Sequence, residues 1–320
     1  MAENVKMYWL HVLTPLHVGA GQGVGFIDLP IIREKVTGWP LTPGSAVKGV
    51  ISDRVDPTGE KRKKKKGEAG YDERFIGGFG RADQDGESAN SGSLVFTDAR
   101  LVCLPVRSLF GTFAWVTSPL ALQRLKRDLD AAGLGSGLPG DCQTGDKAHL
   151  PQDLPSELKG DEDKVYLEDL DFDSQPCPPA EAWSDKLKDW IFPGDAVWLK
   201  IFKERFVILP NGSFDFLCET ATEVNARIRI KQETKTVDKG ALWYEESLPA
   251  ESILAGLVWC DKVFPKDVAT PQELLEDYCS KELALQIGGK ATVGKGRVRC
   301  LFKGGQATTN AGREQGNANS

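Results

Sequence analysis

The stretch that most constrains this chain is 11–33, HVLTPLHVGAGQGVGFIDLPIIR. The apolar run Met7–Leu13 predicts a strand, which Thr14-Pro15 must end because proline has no N–H to give a ladder. His17 follows, then four glycines in seven residues (Gly19, Gly21, Gly23, Gly25) and a single carboxylate, Asp28. Glycine permits positive φ and close approach of a backbone or a phosphate, so a loop of this kind on a strand end suits polyanion contact. Neither Gly19-Ala20-Gly21 nor Gly21-Gln22-Gly23 has the third glycine of a dinucleotide fingerprint. Taken alone, the stretch reads equally well as an ordinary glycine-rich turn.

Composition narrows the class. With 320 residues, 40% hydrophobic and 27% charged, the chain can bury a full core and matches a globular protein. Met1–Lys6 leads straight into a strand with no secretory signal, and no apolar run reaches the length of a membrane span. The seven cysteines are scattered and form no C-x-x-C, which speaks against a zinc site or disulfide framework and for reduced thiols in the cytoplasm. A net charge of −6 excludes coating nucleic acid by overall charge, but not binding along a local groove.

Further along, Thr42 is placed to cap a helix with Pro43 in its first turn, and Lys48 lies off its apolar stripe. Such a helix start offers N–H groups to a phosphate, though a solvated lysine is the ordinary fate of Lys48. The run Lys61–Lys66 sits in a polar insertion, about 60–92, for which no fixed structure is expected. Ser93–Val106 reads as one or two strands, and Ser118-Pro119 starts a helix that Gly133 stops. Residues 133–179 read as a second insertion, a long loop holding His149 as a surface histidine without Cys or His partners. Ala180–Ile191 is expected to be helical, Ala196–Phe202 and Arg205–Leu209 to be strands, and 210–213 a turn.

Ala226–Ile230 alternates, with Arg227 and Arg229 on one face and Ile228 and Ile230 on the other. With a turn at Asp238-Lys239-Gly240 and Trp243 and Tyr244 beyond, this predicts a basic hairpin, about 222–249, suited to a nucleic-acid backbone and a splayed base. Thr270-Pro271-Gln272-Glu273 is a capping box opening a helix to about Leu285. Gly289–Lys295 fits G-x-x-x-x-G-K, but Gly296 replaces the Ser or Thr that must hold magnesium, and the loop leads into a strand. Nucleotide hydrolysis is therefore rejected. What remains is a second glycine loop (Gly288, Gly289, Gly294, Gly296) carrying Lys290, Lys295 and Arg297, able to grip a phosphodiester. A disordered tail is expected over about 303–320. The element order predicts an α+β fold: a ferredoxin-like sheet with helices on one face, in a single domain with long insertions.

The blocks HVLTPLHVGAGQGVGFIDLPIIRE (11–34), TGWPLTPGSAVKGVISD (37–53), LPVRSLFGTFAWVTSP (104–119), ALWYEESLP (241–249) and IGGKATVGKGRVR (287–299) together resemble the RAMP superfamily of CRISPR effector complexes. Within it the similarity is to the repeated backbone subunit of type III-B (Cmr) complexes, which serve antiviral defence. The resemblance implies a modified RRM-like palm with a β-hairpin thumb, stacked in several copies along a guide RNA (crRNA) beside other Cmr subunits. It implies an endoribonuclease, a hydrolase that cuts bound target RNA at regular intervals, with Asp28 as the catalytic carboxylate and ligand of a divalent cation, Mg2+ or Mn2+. His17, Gly19, Gly21, Lys48 and the second glycine loop match guide-binding positions, while Arg227 and Arg229 fall on the candidate thumb. Glu245 and Glu246 are possible helpers or solvated charges. The competing reading is a guide-RNA scaffold without cleavage. A stand-alone processing nuclease fits less well, because only three histidines are available as general acid–base groups.

Overall fold

Val5–Val12 (β1) is the strand from which the architecture follows. Its residues Met7 to Val12 are all buried, as expected of a strand covered on both faces. A computed structural model describes residues 4–304 except 22, 24, 25, 62, 65, 66, 82–89, 154 and 265. Gly25, part of the lysine run (Arg62, Lys65, Lys66) and residues 305–320 of the expected tail lie outside the described residues.

Three further strands complete the central sheet: Ala99–Arg107 (β2), Ile253–Trp259 (β3) and Arg297–Gly304 (β4). Their spatial order is β4-β1-β3-β2, with every neighbouring pair antiparallel. With helix α1 (Gly44–Val55) between β1 and β2, and another, Pro271–Tyr278, between β3 and β4, this is the ferredoxin-like palm. Beyond β2 the sheet continues through Phe113–Thr117, Phe206–Ile208, Ala148–Leu150, Leu170–Pro176 and Lys164–Leu167. Leu283–Gln286 pairs with the outer side of β4.

Helices cover both faces, not one. The side chains of Tyr8, Leu10 and Val12 join Val47 and Ile51 of α1 and Leu274 and Leu275 of the late helix in one core. Met7 and Trp9, pointing the other way, join a second core with Leu122, Leu125 and Leu129 of α2 (Pro119–Ala131) and Trp183 and Leu187 of α3 (Pro178–Ile191). The second layer comes from the segment between β2 and the hairpin, whose polar composition hides three strands, of which Ala148–Leu150 is fully buried. Within 133–179, Ala148–Leu150, Lys164–Leu167 and Leu170–Pro176 are regular structure, so a loop reading fails there.

Other expectations are corrected. Helix α1 starts at Gly44 with Pro43 as its N-cap; the Thr42 hydroxyl is buried without a hydrogen-bond partner among the described residues, and Asp98 Oδ1 accepts from Gly44 N at 2.9 Å. The chain at 96–98 therefore covers the helix start, which is not open to a phosphate: a Cβ on Gly44 would lie 2.3 Å from the Phe96 carbonyl oxygen. Ala196–Glu204 (α4) is a helix, capped by the Asp195 carboxylate on Trp198 N. The run's β-branched and aromatic residues mimic a strand, and a short apolar run does not distinguish the two. Asn211 begins a helix, Asn211–Thr220 (α5), in place of the expected turn, and the late helix (α6) stops at Tyr278, not near Leu285. In the first insertion, Glu73–Phe79 forms a helical turn that buries Phe75 and Ile76, so its described part is structured.

Capping of α1 yields a discriminating test. Asp98→Ala should destabilise the protein by about 1 kcal/mol, as loss of a cap does. Thr42→Val should be neutral or stabilising, since it replaces an unpaired buried hydroxyl. Chemical denaturation of the two variants checks the assignment.

Candidate nucleic-acid interface and catalytic carboxylate

The two glycine loops lie back to back at the ends of β1 and β4. Leu13 N donates to Arg297 O at 2.8 Å, Gly296 N to Pro15 O at 2.9 Å, and Gly289 N to His17 O at 2.9 Å. At Gly288 and Gly296 both φ and space require glycine: φ is +78° and +82°, and an added Cβ would meet the His17 or Ile287 carbonyl oxygen at 2.3 or 2.1 Å. The close approach these two glycines permit is thus to the chain's own backbone rather than to a phosphate. Gly21 and Gly294, by contrast, have nothing within 4 Å of the Cβ direction.

The first loop folds as a narrow arch, with Ala20 N on Pro30 O and Ile32 N on Val18 O. Its far limb docks on the base of the hairpin. Leu29 N donates to Tyr244 O and Glu246 N to Leu29 O, forming a parallel bridge. Asp28 sits one residue before this seam, with Oδ2 accepting from Tyr244 N at 2.8 Å in an exposed contact. Its other oxygen makes no hydrogen bond among the described residues.

Two adjacent carboxylates, read from sequence as possible helpers or solvated charges, are buried and organise this base. Glu246 is 2% exposed and receives Ile31 N, the Thr222 hydroxyl and the Arg33 guanidinium, while its carbonyl faces His17 Nδ1 at 2.7 Å. Glu245 is 3% exposed and draws in Lys290 Nζ at 2.8 Å, the Trp243 indole N–H at 2.8 Å, Arg227 Nε at 3.4 Å and Lys295 Nζ at 3.8 Å. Burial raises the pKa of Glu245, but Lys290, Trp243 and Lys295 outweigh it and hold the value at about 2. The hairpin itself, Glu223–Ile230 with Val237–Ser247, projects as its own two-stranded sheet. Its turn lies at 231–236, where Lys231 N bonds Thr236 O, and residues 238–240 belong to the second strand. Ile228, Ile230, Val237 and Leu242 are each about half exposed, an apolar surface that an isolated domain gains nothing by displaying.

The match to the RAMP superfamily model spans residues 9–299. The chain belongs to the RAMP superfamily. A curated relative, the Cmr endoribonuclease Cmr4 of Pyrococcus furiosus, is 36% identical over 305 residues, covering 95% of this chain and 96% of that protein. Oligomeric Cmr4 from the same organism superposes with a TM-score of 0.69 at 27% identity, over 95% of this chain and 99% of that one. A chain of a type III-B Cmr-beta complex bound to cognate target RNA shares the fold, with a TM-score of 0.68 at 21% identity, over 93% of this chain and 96% of that one.

Within this RAMP palm the sequence-derived residues separate into groups. Asp28, Gly19, Gly21 and the loop from Gly288 to Arg297 share one end of the sheet with the hairpin base. Arg229 and Arg297 are exposed, whereas Lys290 and Arg227 reach in to Glu245. Lys295 departs from the reading as a phosphate contact. It is 5% exposed, its ammonium donates to the Ser247 hydroxyl at 2.6 Å, and burial lowers its pKa. His17 is likewise buried, holding the two loops to Glu246. Lys48 is half-buried and spent on the Leu94 carbonyl at 2.7 Å, away from the Glu245 group, and burial lowers its pKa too. The arginine and lysine positions are legible as charge; Glu245 and Glu246 are legible as candidate helpers, but their burial and internal pairing are not.

Because Glu245 titrates near 2 when folded and at an ordinary 4.5 otherwise, its contribution is complete above about pH 5 and is lost as pH falls from 4.5 towards 2. Glu245→Gln should cost about 1–3 kcal/mol at neutral pH and flatten the acid limb of the stability curve. Urea midpoints measured across pH in both proteins check this.

Proposed function

We propose that this chain is a repeated backbone subunit of a cytoplasmic type III-B effector complex that holds guide RNA and cuts the paired target RNA. The observation that carries the proposal is Asp28. Its carboxylate is fixed by the Tyr244 N–H at the foot of a free-standing hairpin with half-exposed apolar side chains. The relation to an endoribonuclease at 36% identity supports the same reading. Further copies of the chain and other Cmr subunits would continue the palm along the guide. Arg229, Arg297 and the open backbone at Gly21 and Gly294 would face phosphates.

The hairpin acts as the thumb. Its exposed apolar strand residues would enter the guide–target duplex and displace a base, releasing the target backbone from A-form geometry. The displaced nucleotide's 2′-hydroxyl could then align with its neighbouring phosphorus, which a regular duplex forbids. The 2′-O–P bond forms and the P–O5′ bond breaks, giving a 2′,3′-cyclic phosphate and a 5′-hydroxyl end. The free oxygen of Asp28 would either take the 2′-hydroxyl proton itself or, where a cation occupies it, leave that proton to water, and water would protonate the leaving oxygen.

A divalent cation, Mg2+ or Mn2+, meets a sparse donor set here. Asp28 offers one free oxygen, since Tyr244 N occupies the other, and Glu245 is already matched by cations. Asp28 could therefore supply a single ligand to such an ion, the others coming from RNA phosphates and water. When bound there, the ion would stabilise negative charge at the phosphate. Glu245 and Glu246 are positioning residues for Asp28 and the thumb, not ligands.

Asp28→Asn tests the chemistry while preserving an oxygen for the Tyr244 N–H. In the assembled complex, with end-labelled guide-complementary RNA and Mg2+ or Mn2+, regularly spaced products should fall by at least about 100-fold with target binding unchanged. Undiminished cutting would remove Asp28 from the mechanism, and the absence of cutting by either protein would favour a guide-holding scaffold.

A further inference from the structure

The segment 133–179, read from sequence as a loop with an isolated surface histidine, brings together three metal-ligating side chains. His149, on the strand Ala148–Leu150, is 3% exposed, Cys142 7% and Cys177 8%. Cys142 Sγ lies 3.1 Å from His149 Nδ1 and 3.7 Å from Cys177 Sγ, and the three ligand atoms lie within 4.8 Å of one another. Each comes from a different piece of chain: the segment after α2, the buried strand, and the residue that opens α3. The register that assembles them is set by backbone. Gln175 pairs with His149 in a parallel ladder, and Cys177 N donates to Leu150 O at 2.9 Å.

We propose that Cys142, His149 and Cys177 form a structural site for one borderline-soft divalent cation, zinc in chemical class. Two thiolates on a tetrahedral zinc, each about 2.3 Å from the ion, sit about 3.8 Å apart, which is close to the separation already present. Sulfur and imidazole donors select zinc over magnesium or calcium. Gln175 supplies the outer support: its Nε2 lies 2.9 Å from His149 Nε2, and turning the amide over places its oxygen there instead. An ion on Nδ1 leaves the proton on Nε2, and the amide then presents its oxygen to the ring. Among the described residues no fourth His, Cys, Asp or Glu joins the cluster, so a water would complete the coordination. The benefit to the fold is plain, because residues 133–147 carry no helix or strand after α2 ends, and one ion would fasten this segment to both the sheet and α3. A neighbouring acidic trio, Asp153, Glu181 and Asp185, is no rival: the buried Lys203 ammonium already sits among these carboxylates.

The site is independent of Asp28 and is tested on the full chain stripped with chelator under a non-thiol reductant. Titration with Co2+ should give tetrahedral visible bands and thiolate charge transfer at one equivalent per chain, bleached by Zn2+. Cys142→Ser and Cys177→Ser should each abolish the bands, Gln175→Ala should weaken affinity by about tenfold, and Cys260→Ala should change nothing. In the unmutated chain, Zn2+ should slow alkylation of Cys142 and Cys177 selectively, a readout that does not depend on any variant folding. Absence of the bands, their persistence in the Cys142→Ser and Cys177→Ser proteins, or unaltered alkylation with Zn2+ would overturn the proposal. So would recovery of a Cys142–Cys177 disulfide in place of metal uptake.

Discussion

The interaction on which the site depends is the burial of Glu246 at the foot of the hairpin. A carboxylate with 2% exposure is tolerable only if its charge is matched, and here Arg33, Thr222 and the Ile31 amide match it. These partners come from the glycine arch and from the start of the hairpin. Satisfying one buried charge therefore fixes the arch against the thumb, and Asp28, three residues before Ile31, is carried to its place. Glu245 does the same for the second glycine loop by drawing in Lys290 and Lys295. The visible role of Lys290 and Lys295 is therefore an internal one.

The palm supplies the rigidity behind this arrangement. β1 is central, hydrogen-bonded on both sides and packed on both faces, so its end is a fixed point from which the first loop departs. β4 begins beside it, so the second loop, which leads into β4, is held at the same place. The extra layer of α2 and α3 encloses the face of β1 that a bare ferredoxin-like sheet leaves open, which is why Trp9 can be buried.

Much of this is legible in the sequence where a local rule has no competitor. The apolar run of β1, the Ser118 cap of α2, the capping box at Thr270 and the alternation over Ala226–Ile230 all appear in the fold. Where packing outweighs local preference, local rules mislead. Ala196–Glu204 is a helix despite its strand-like residues, and 133–179 contributes three sheet strands, one fully buried, despite its Gly, Pro and Asp content. At the site, Asp28 and the glycines stand out by pattern and resemblance. The burial of Lys295, Glu245 and Glu246 does not, because one charged residue looks like another until its neighbours across the fold are known. The approach of Cys142, His149 and Cys177 is hidden for the same reason, with spacings that match no linear motif.

The most direct measurement is amide hydrogen exchange by mass spectrometry on the wild type and Glu246→Ala. If the buried carboxylate joins the arch to the thumb, peptides covering 28–33 and 243–248 should lose protection together in the variant, while peptides from β2 stay unchanged. Retained protection in both segments would contradict the coupling and leave Asp28 held by the local Tyr244 contact alone.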